Sequence, residues 1–140
     1  MPKYPPTALQ ARLCAALQSR AEILEGYLFG SQATDQAQAH SDIDVAVYVA
    51  PTHALDNGFG YQAELTATLM AALETNAIDL VILNKATPLL YHRVLAHGVR
   101  LLTRNLAETT TREGQALSRY CDFVPQLAKL EAGHRAGRGT

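Results

Sequence analysis

Short apolar runs alternate along this chain with longer segments whose apolar residues recur at helical spacing, and this alternation constrains the fold most. The strand-like runs are residues 27–29, 42–50, 77–83 and 99–103. Between them, faces such as Tyr61, Leu65 and Leu69 predict helices. Strands separated by connections of helix length favour a layered α/β domain with some parallel pairing. We therefore expect an α/β fold, a small mixed β-sheet with helices packed on it.

Local signals predict where several helices begin and end. Thr7 is expected to cap a first helix, which Gly26 ends. The apolar face of that helix is predicted to be Leu9, Leu13, Leu17, Ala21 and Leu24. Further along, Thr87 is expected to cap a helix with Pro88 in its first turn, and Gly98 to end it.

The chain changes character beyond residue 104. Residues 109–111, all threonine, and Gly114 predict a break, and Pro125 a kink or restart of the helix that follows. The apolar face of this helix is Leu117, Tyr120, Cys121, Val124 and Leu127. It either covers the domain's own core or docks on a partner, because periodicity alone does not identify the buried surface. Residues 133–140 are rich in Gly and Arg and predict a disordered tail.

Two aspartates one residue apart stand at the head of the second apolar run. In a strand, Asp42 and Asp44 project to the same side, roughly 6.5 Å apart, while Ile43 and Val45 point to the core. Two like charges this close repel each other unless a cation lies between them. Magnesium fits, because it prefers carboxylate oxygens together with substrate phosphates, and two such ions can hold both reacting oxygens of an in-line displacement.

A third carboxylate and a Gly-Ser turn complete the pattern. Asp79 interrupts an apolar strand, where a carboxylate is costly unless it is paired, exposed at an edge or bound to metal. Gly30 follows a short apolar run and allows the backbone to approach a ligand closely. A helix beginning at Ser31 would direct free N–H groups at a phosphate. The alternative is that the three aspartates are solvated turn and strand residues.

The pair Gly30-Ser31, a gap of ten residues and then Ser41-Asp42-Ile43-Asp44 resemble the DNA-polymerase-beta-like nucleotidyltransferase superfamily. Within it the chain looks like the minimal nucleotidyltransferases, the antitoxin partners of HEPN-domain toxins. The resemblance implies that Asp42, Asp44 and Asp79 bind two Mg²⁺ ions and are the catalytic residues. It implies that Gly30, Ser31 and Ser41 bind the nucleotide. Many members carry an Arg-Gly pair shortly after Gly-Ser, where this chain has Thr34-Asp35.

The resemblance divides the chain and implies a function. It implies a minimal nucleotidyltransferase domain at residues 1–104, with a helical extension at residues 105–132 before the tail. The implied activity is transfer of AMP from ATP to a tyrosine of a cognate HEPN-type RNase toxin, which it neutralises in a hetero-oligomer. Two alternatives remain open, a nucleotidyltransferase acting on an aminoglycoside-like small molecule and a non-catalytic antitoxin that inhibits by contact.

Composition excludes several other classes. The net charge is -1 and no basic run is interleaved with aromatic residues, so we expect no direct nucleic-acid binding. No signal-peptide core or membrane-length apolar run is present, so no membrane association and a cytoplasmic location are expected.

Cys14 and Cys121 are isolated and predict buried thiols. Tyr48 either lines the nucleotide pocket or lies on the sheet surface, and His40 either contacts a phosphate or is solvated.

Overall fold

The computed structural model of the chain describes residues 6–30, 42–52 and 59–138. The helices are α1 (Pro6–Gln18), α2 (Phe59–Leu73), α3 (Pro88–His97) and α4 (Leu106–Arg138), and the strands are β1 (Ile23–Phe29), β2 (Ile43–Val49), β3 (Ile78–Ile82) and β4 (Val99–Thr103). A short 3₁₀ turn, Leu83–Lys85, follows β3.

The four strands form one mixed sheet in the order β3-β2-β1-β4. Strand β1 pairs antiparallel with β2 on one side and with β4 on the other. Strands β2 and β3 pair in parallel, because the connection between them runs through α2. The expected α/β fold with a small mixed sheet and a C-terminal helix is confirmed.

Each face of the sheet is covered by a pair of helices. On one face, Leu13 of α1 and Leu65 of α2 belong to the same buried cluster as Val45 and Val47. The opposite face buries Tyr27, Phe29 and Ala46 against Tyr91 and Val94 of α3 and Ala116 of α4. The alternation along β2 thus sends Val45 and Val47 to one layer and Asp44, Ala46 and Tyr48 to the other.

The first helix is shorter than its periodicity predicts. It ends at Gln18, and Leu24 lies in β1 instead of continuing the helical face. The chain turns at Arg20, whose carbonyl accepts from the backbone N–H of Ile23 at 3.1 Å. The Arg104 guanidinium donates to the carbonyls of Gln18 and Arg20 at 3.0 and 2.8 Å, which satisfies the end of the helix. Strand pairing of residues 23–29 with β2 therefore overrides the local pattern.

The predicted break after residue 104 is wrong, because α4 is one helix from Leu106 to Arg138. Asn105 caps it by accepting from the N–H of Glu108 at 3.1 Å. The hydroxyls of Thr110 and Thr111 donate to carbonyls four residues back, each at 2.9 Å, so the threonines are satisfied inside the helix. Pro125 lies within the exposed half, where water can replace the hydrogen bond that proline lacks.

Other local predictions are confirmed or corrected. Thr87 caps α3 by accepting from the N–H of Leu90 at 3.2 Å, and Gly98 ends that helix as expected. Cys121 is exposed, so the prediction of a buried thiol is wrong there. Within the described ranges, no helix has both the length and the apolarity needed to cross a bilayer. The division at residues 104 and 132 stays a prediction, although the helix backbone continues through residues 133–138.

Candidate functional site

The structure brings the three predicted aspartates to the same end of one sheet face. Strands β2 and β3 are in register, with Asp44 directly opposite Asp79. Asp42 immediately precedes β2. The residues that alternate with these aspartates, Ile43, Val45, Ile78 and Leu80, are buried against the α1 and α2 layer. The neighbouring strand thus supplies the third carboxylate, as the sequence predicted.

The carboxylate cluster carries unbalanced negative charge. Asp44 is half-buried, and this burial is the largest cause that raises its pKa. The charges of Asp79 and Asp42 raise the pKa of Asp44 further. Among the residues that the structure describes, no arginine or lysine forms an ion pair with these aspartates. The described residues therefore leave the ionised cluster without a neutralising positive charge.

The backbone turn after β1 lies against the central carboxylate. Gly30 follows Phe29, whose strand partner is Asp44. Its φ of 76° lies in the left-handed region that only glycine adopts without cost. A Cβ at this position would stand 2.2 Å from Oδ2 of Asp44. Glycine is therefore needed for both the backbone conformation and the approach to the carboxylate.

The donor chemistry of this cluster suits a hard divalent cation. All three side chains offer carboxylate oxygens, the ligands that Mg²⁺ prefers. Across residues 6–30, 42–52 and 59–138, however, no three His, Cys, Asp or Glu side chains form a ready-made metal cage. Magnesium usually keeps water and substrate phosphate among its ligands, so a partial protein ligand set fits it.

Several predicted residues lie elsewhere. Ser31, Ser41 and His40 lie outside the described residues, so their expected roles stay predictions. Tyr48 lies under the Arg112 guanidinium, 4.8 Å from the ring centroid, which favours the sheet-surface alternative. This cation–π contact attaches α4 to the sheet.

Sequence reasoning missed two charged networks that hold α4 on the site-bearing face. Glu25 of β1 is fully buried and accepts from Nε of Arg112 at 3.0 Å. Glu113 accepts from the Tyr27 hydroxyl at 2.7 Å and from Arg100 at 2.6 Å. The partners are separated by more than eighty residues in two of these contacts, so no local pattern shows them. Glu25 did carry a signal, because it interrupts an apolar strand as Asp79 does.

Comparison with known proteins agrees with this geometry. Residues 12–107 match the family described as Polymerase beta, Nucleotidyltransferase. No curated protein sequence matches significantly.

Several solved structures are similar over nearly the whole chain. A toxin–antitoxin crystal structure with AMP-PNP matches with a TM-score of 0.74 and 26% identity, covering 89% of this chain and 98% of that chain. The MntA–HepT toxin–antitoxin structure matches with a TM-score of 0.69 and 25% identity, covering 91% and 98%. A tri-AMPylated Shewanella oneidensis HEPN toxin in complex with its MNT antitoxin matches with a TM-score of 0.71 over 93% and 99%; at 24% identity it shows the fold alone.

The family match extends from α1 to the start of α4 and includes every strand and all three aspartates. The chain belongs to the polymerase beta nucleotidyltransferase family and is a nucleotidyltransferase of the minimal type.

Proposed function

We propose that this nucleotidyltransferase is an antitoxin that transfers AMP from ATP, with Mg²⁺, to a tyrosine of a cognate HEPN-domain toxin. The observation that carries the chemistry is the in-register pair Asp44 and Asp79, with Asp42 beside them and no cation from the described residues. The acceptor is supported by similarity to toxin–antitoxin structures, one of them with AMP-PNP and one of MntA–HepT.

The reaction requires that a hydroxyl oxygen attack the α-phosphorus of ATP. A new oxygen–phosphorus bond forms, the bond from the α-phosphorus to the bridging oxygen breaks, and pyrophosphate leaves. Magnesium, when bound, supplies the positive charge that neutralises the triphosphate and the leaving group. Asp42, Asp44 and Asp79 hold that charge in place through their carboxylate oxygens, and exposed Asp79 accepts the proton of the attacking hydroxyl. Most of the catalysis is positioning and charge stabilisation.

The turn after β1 holds the triphosphate. Gly30 has no side chain to keep a phosphate away from the Asp44 carboxylate. Ser31 and Ser41 flank the turn and the aspartates in the sequence, and we assign their hydroxyls to phosphate oxygens. Since the chain lacks the Arg-Gly pair, the cation and the backbone provide most of the phosphate binding.

The test is transfer in a purified system. The chain is incubated with Mg²⁺, each labelled nucleoside triphosphate and a purified candidate HEPN-domain partner, and both chains are analysed by mass spectrometry. We expect added AMP on a tyrosine of the HEPN protein and loss of its RNase activity. Asp44→Asn is the control that abolishes transfer without a large change in volume. Label appearing on an aminoglycoside and never on the HEPN protein would favour the small-molecule alternative.

A further inference from the structure

A cavity of about 440 Å³ lies between α3, β4 and α4. Its walls include Tyr27, Leu95, Gly98, Arg100, Glu113 and Leu117. None of these residues belongs to the carboxylate cluster, and the proposed chemistry gives the cavity no role.

The cavity opens on the same sheet face as the aspartates. Tyr27 is two residues before Phe29, the strand partner of Asp44, and Arg100 of β4 pairs with Tyr27. Strands β2 and β4 flank β1, so the cavity floor is about 10 Å from the strand that carries Asp44, two strand spacings away. A molecule whose reacting group is at the aspartates can therefore place a second group in this cavity.

The cavity walls suit a neutral group with an apolar body. The Arg100 guanidinium and the Glu113 carboxylate neutralise each other at 2.6 Å. The other oxygen of Glu113 accepts from the Tyr27 hydroxyl at 2.7 Å. Leu95 and Leu117 supply apolar surface. A wall whose charges are already paired favours an aromatic side chain over a phosphate group.

A glycine in the middle of α4 keeps one wall of the cavity open. Gly114 lines the cavity, although glycine inside a helix is less favourable than alanine. No atom of the described residues lies within 4 Å of the position that its Cβ would take. The space beside Gly114 is therefore open, and a large side chain at this position would occupy part of the cavity.

The cavity continues into an exposed apolar surface along the same helix. Leu117 at the rim is 51% exposed, and Val124 further along α4 is 40% exposed. These two residues, which we call the α4 stripe, are about two turns apart and therefore lie on one face of the helix. An apolar surface that adjoins a cavity and stays uncovered is typical of a protein interaction site.

We propose that the cavity is an anchor pocket for the protein acceptor, which inserts an aromatic side chain beside Gly114 and lies along the α4 stripe. The occupant is a second protein with an apolar surface, and its identity as a HEPN-domain toxin rests on the proposed function. The anchoring residue is distinct from the tyrosine that is modified, because the reacting hydroxyl must reach the aspartates.

Matched substitutions at Gly114 test the pocket. Gly114→Leu fills the cavity, whereas Gly114→Ala changes the same position with little volume. The probe is the purified HEPN-domain protein that serves as acceptor in the transfer assay, and its affinity is measured by calorimetry without nucleotide. We expect Gly114→Leu to weaken binding at least tenfold and Gly114→Ala to change it less than about twofold. Val124→Asp, on the exposed stripe away from the cavity, should also weaken binding, and it keeps the test available if Gly114→Leu does not fold.

Other occupants give different results. Unchanged partner affinity in both Gly114→Leu and Val124→Asp overturns the proposal. Loss of AMP-PNP affinity in Gly114→Leu with partner binding intact would make the cavity a nucleotide site instead. A self-associating chain that Val124→Asp makes monomeric, with partner binding unchanged, would assign the stripe to a second copy. If the wild-type chain binds the partner but transfers no AMP, the proposed function fails while the anchor pocket stands.

Discussion

Replacing Gly30 by alanine tests whether the turn after β1 sets the position of the catalytic carboxylate. The added Cβ would stand 2.2 Å from Oδ2 of Asp44, and real Cβ contacts essentially never fall below 3.0 Å. The carboxylate must therefore retreat by about 0.8 Å or more, or the turn must move. The left-handed backbone, with a φ of 76°, adds about 1–2 kcal/mol of strain for any residue with a Cβ.

Two separate effects are expected from Gly30→Ala. The free energy of unfolding should fall by about 1–2 kcal/mol, the cost of the backbone strain. Transfer should fall far more, by about a hundredfold in kcat/KM, because a misplacement near 1 Å at a reacting site has that effect. Urea melts give the first value, and mass spectrometry of the acceptor at several concentrations gives the second.

Gly60→Ala is the matched control, because no described atom lies within 4 Å of its Cβ position and it stands in α2. It should leave the free energy of unfolding within about 0.5 kcal/mol of wild type and leave transfer unchanged. Transfer of AMP by Gly30→Ala at the wild-type kcat/KM would refute this reasoning, because a shift of the carboxylate by about 0.8 Å would then not affect catalysis.

Three further predictions follow from the charged residues. Burial and two neighbouring carboxylates raise the pKa of Asp44 in the folded state above its value in the unfolded state. The free energy of unfolding should therefore fall as the pH rises above about 3.9, the unfolded pKa, because the ionised form is less favourable in the folded protein. Asp44→Asn should therefore raise the melting temperature at pH 7 in the absence of Mg²⁺, and this gain should vanish near pH 3. Added Mg²⁺ should stabilise the wild type but not the variant. An equal gain in melting temperature at both pH values would contradict this prediction. Arg112→Met leaves Glu25 buried without its partner and should cost about 3–5 kcal/mol in urea melts, a loss that Arg112→Met with Glu25→Gln largely recovers. Arg104→Lys removes the guanidinium that donates to the carbonyls at the end of α1, and it should lower the free energy of unfolding by about 2 kcal/mol. If urea melts instead give a value within about 0.3 kcal/mol of wild type, the lysine ammonium is sufficient to satisfy these carbonyls.

The site was predictable from the sequence where its residues lie on strands. The period of two fixes which way Asp44 and Val45 point, so the separation of carboxylate and core followed from the pattern alone. Asp79 was identified because a carboxylate is costly in an apolar strand, and the parallel pairing of β2 and β3 explains it. The strand order had no such local signal, because it depends on contacts between distant segments.

The predictions failed where long-range contacts decided the structure. The apolar spacing through Leu24 is compatible with a helix, but the pairing of β1 with two neighbouring strands places Leu24 in a strand instead. Threonines and Gly114 have poor helix propensity, yet α4 continues through them because Arg112 and Glu113 attach it to the sheet. Glu25, like Asp79, is a carboxylate that interrupts an apolar strand, but its partner Arg112 could be identified only from the fold.

The two faces of the sheet are covered in physically different ways. The α1 and α2 face is sealed by fully buried leucines, isoleucines and valines, whereas α4 is held on the other face largely through hydrogen bonds and ion pairs to Glu25, Tyr27 and Arg100. Elements held by few apolar contacts open at lower free energy than the whole molecule. Amide hydrogens of α4 should therefore exchange by partial opening, while those of β1 and β2 exchange only on global unfolding. Added salt should accelerate the first process by screening its ion pairs. If a partner covers α4 as proposed, its binding should slow amide exchange throughout this helix.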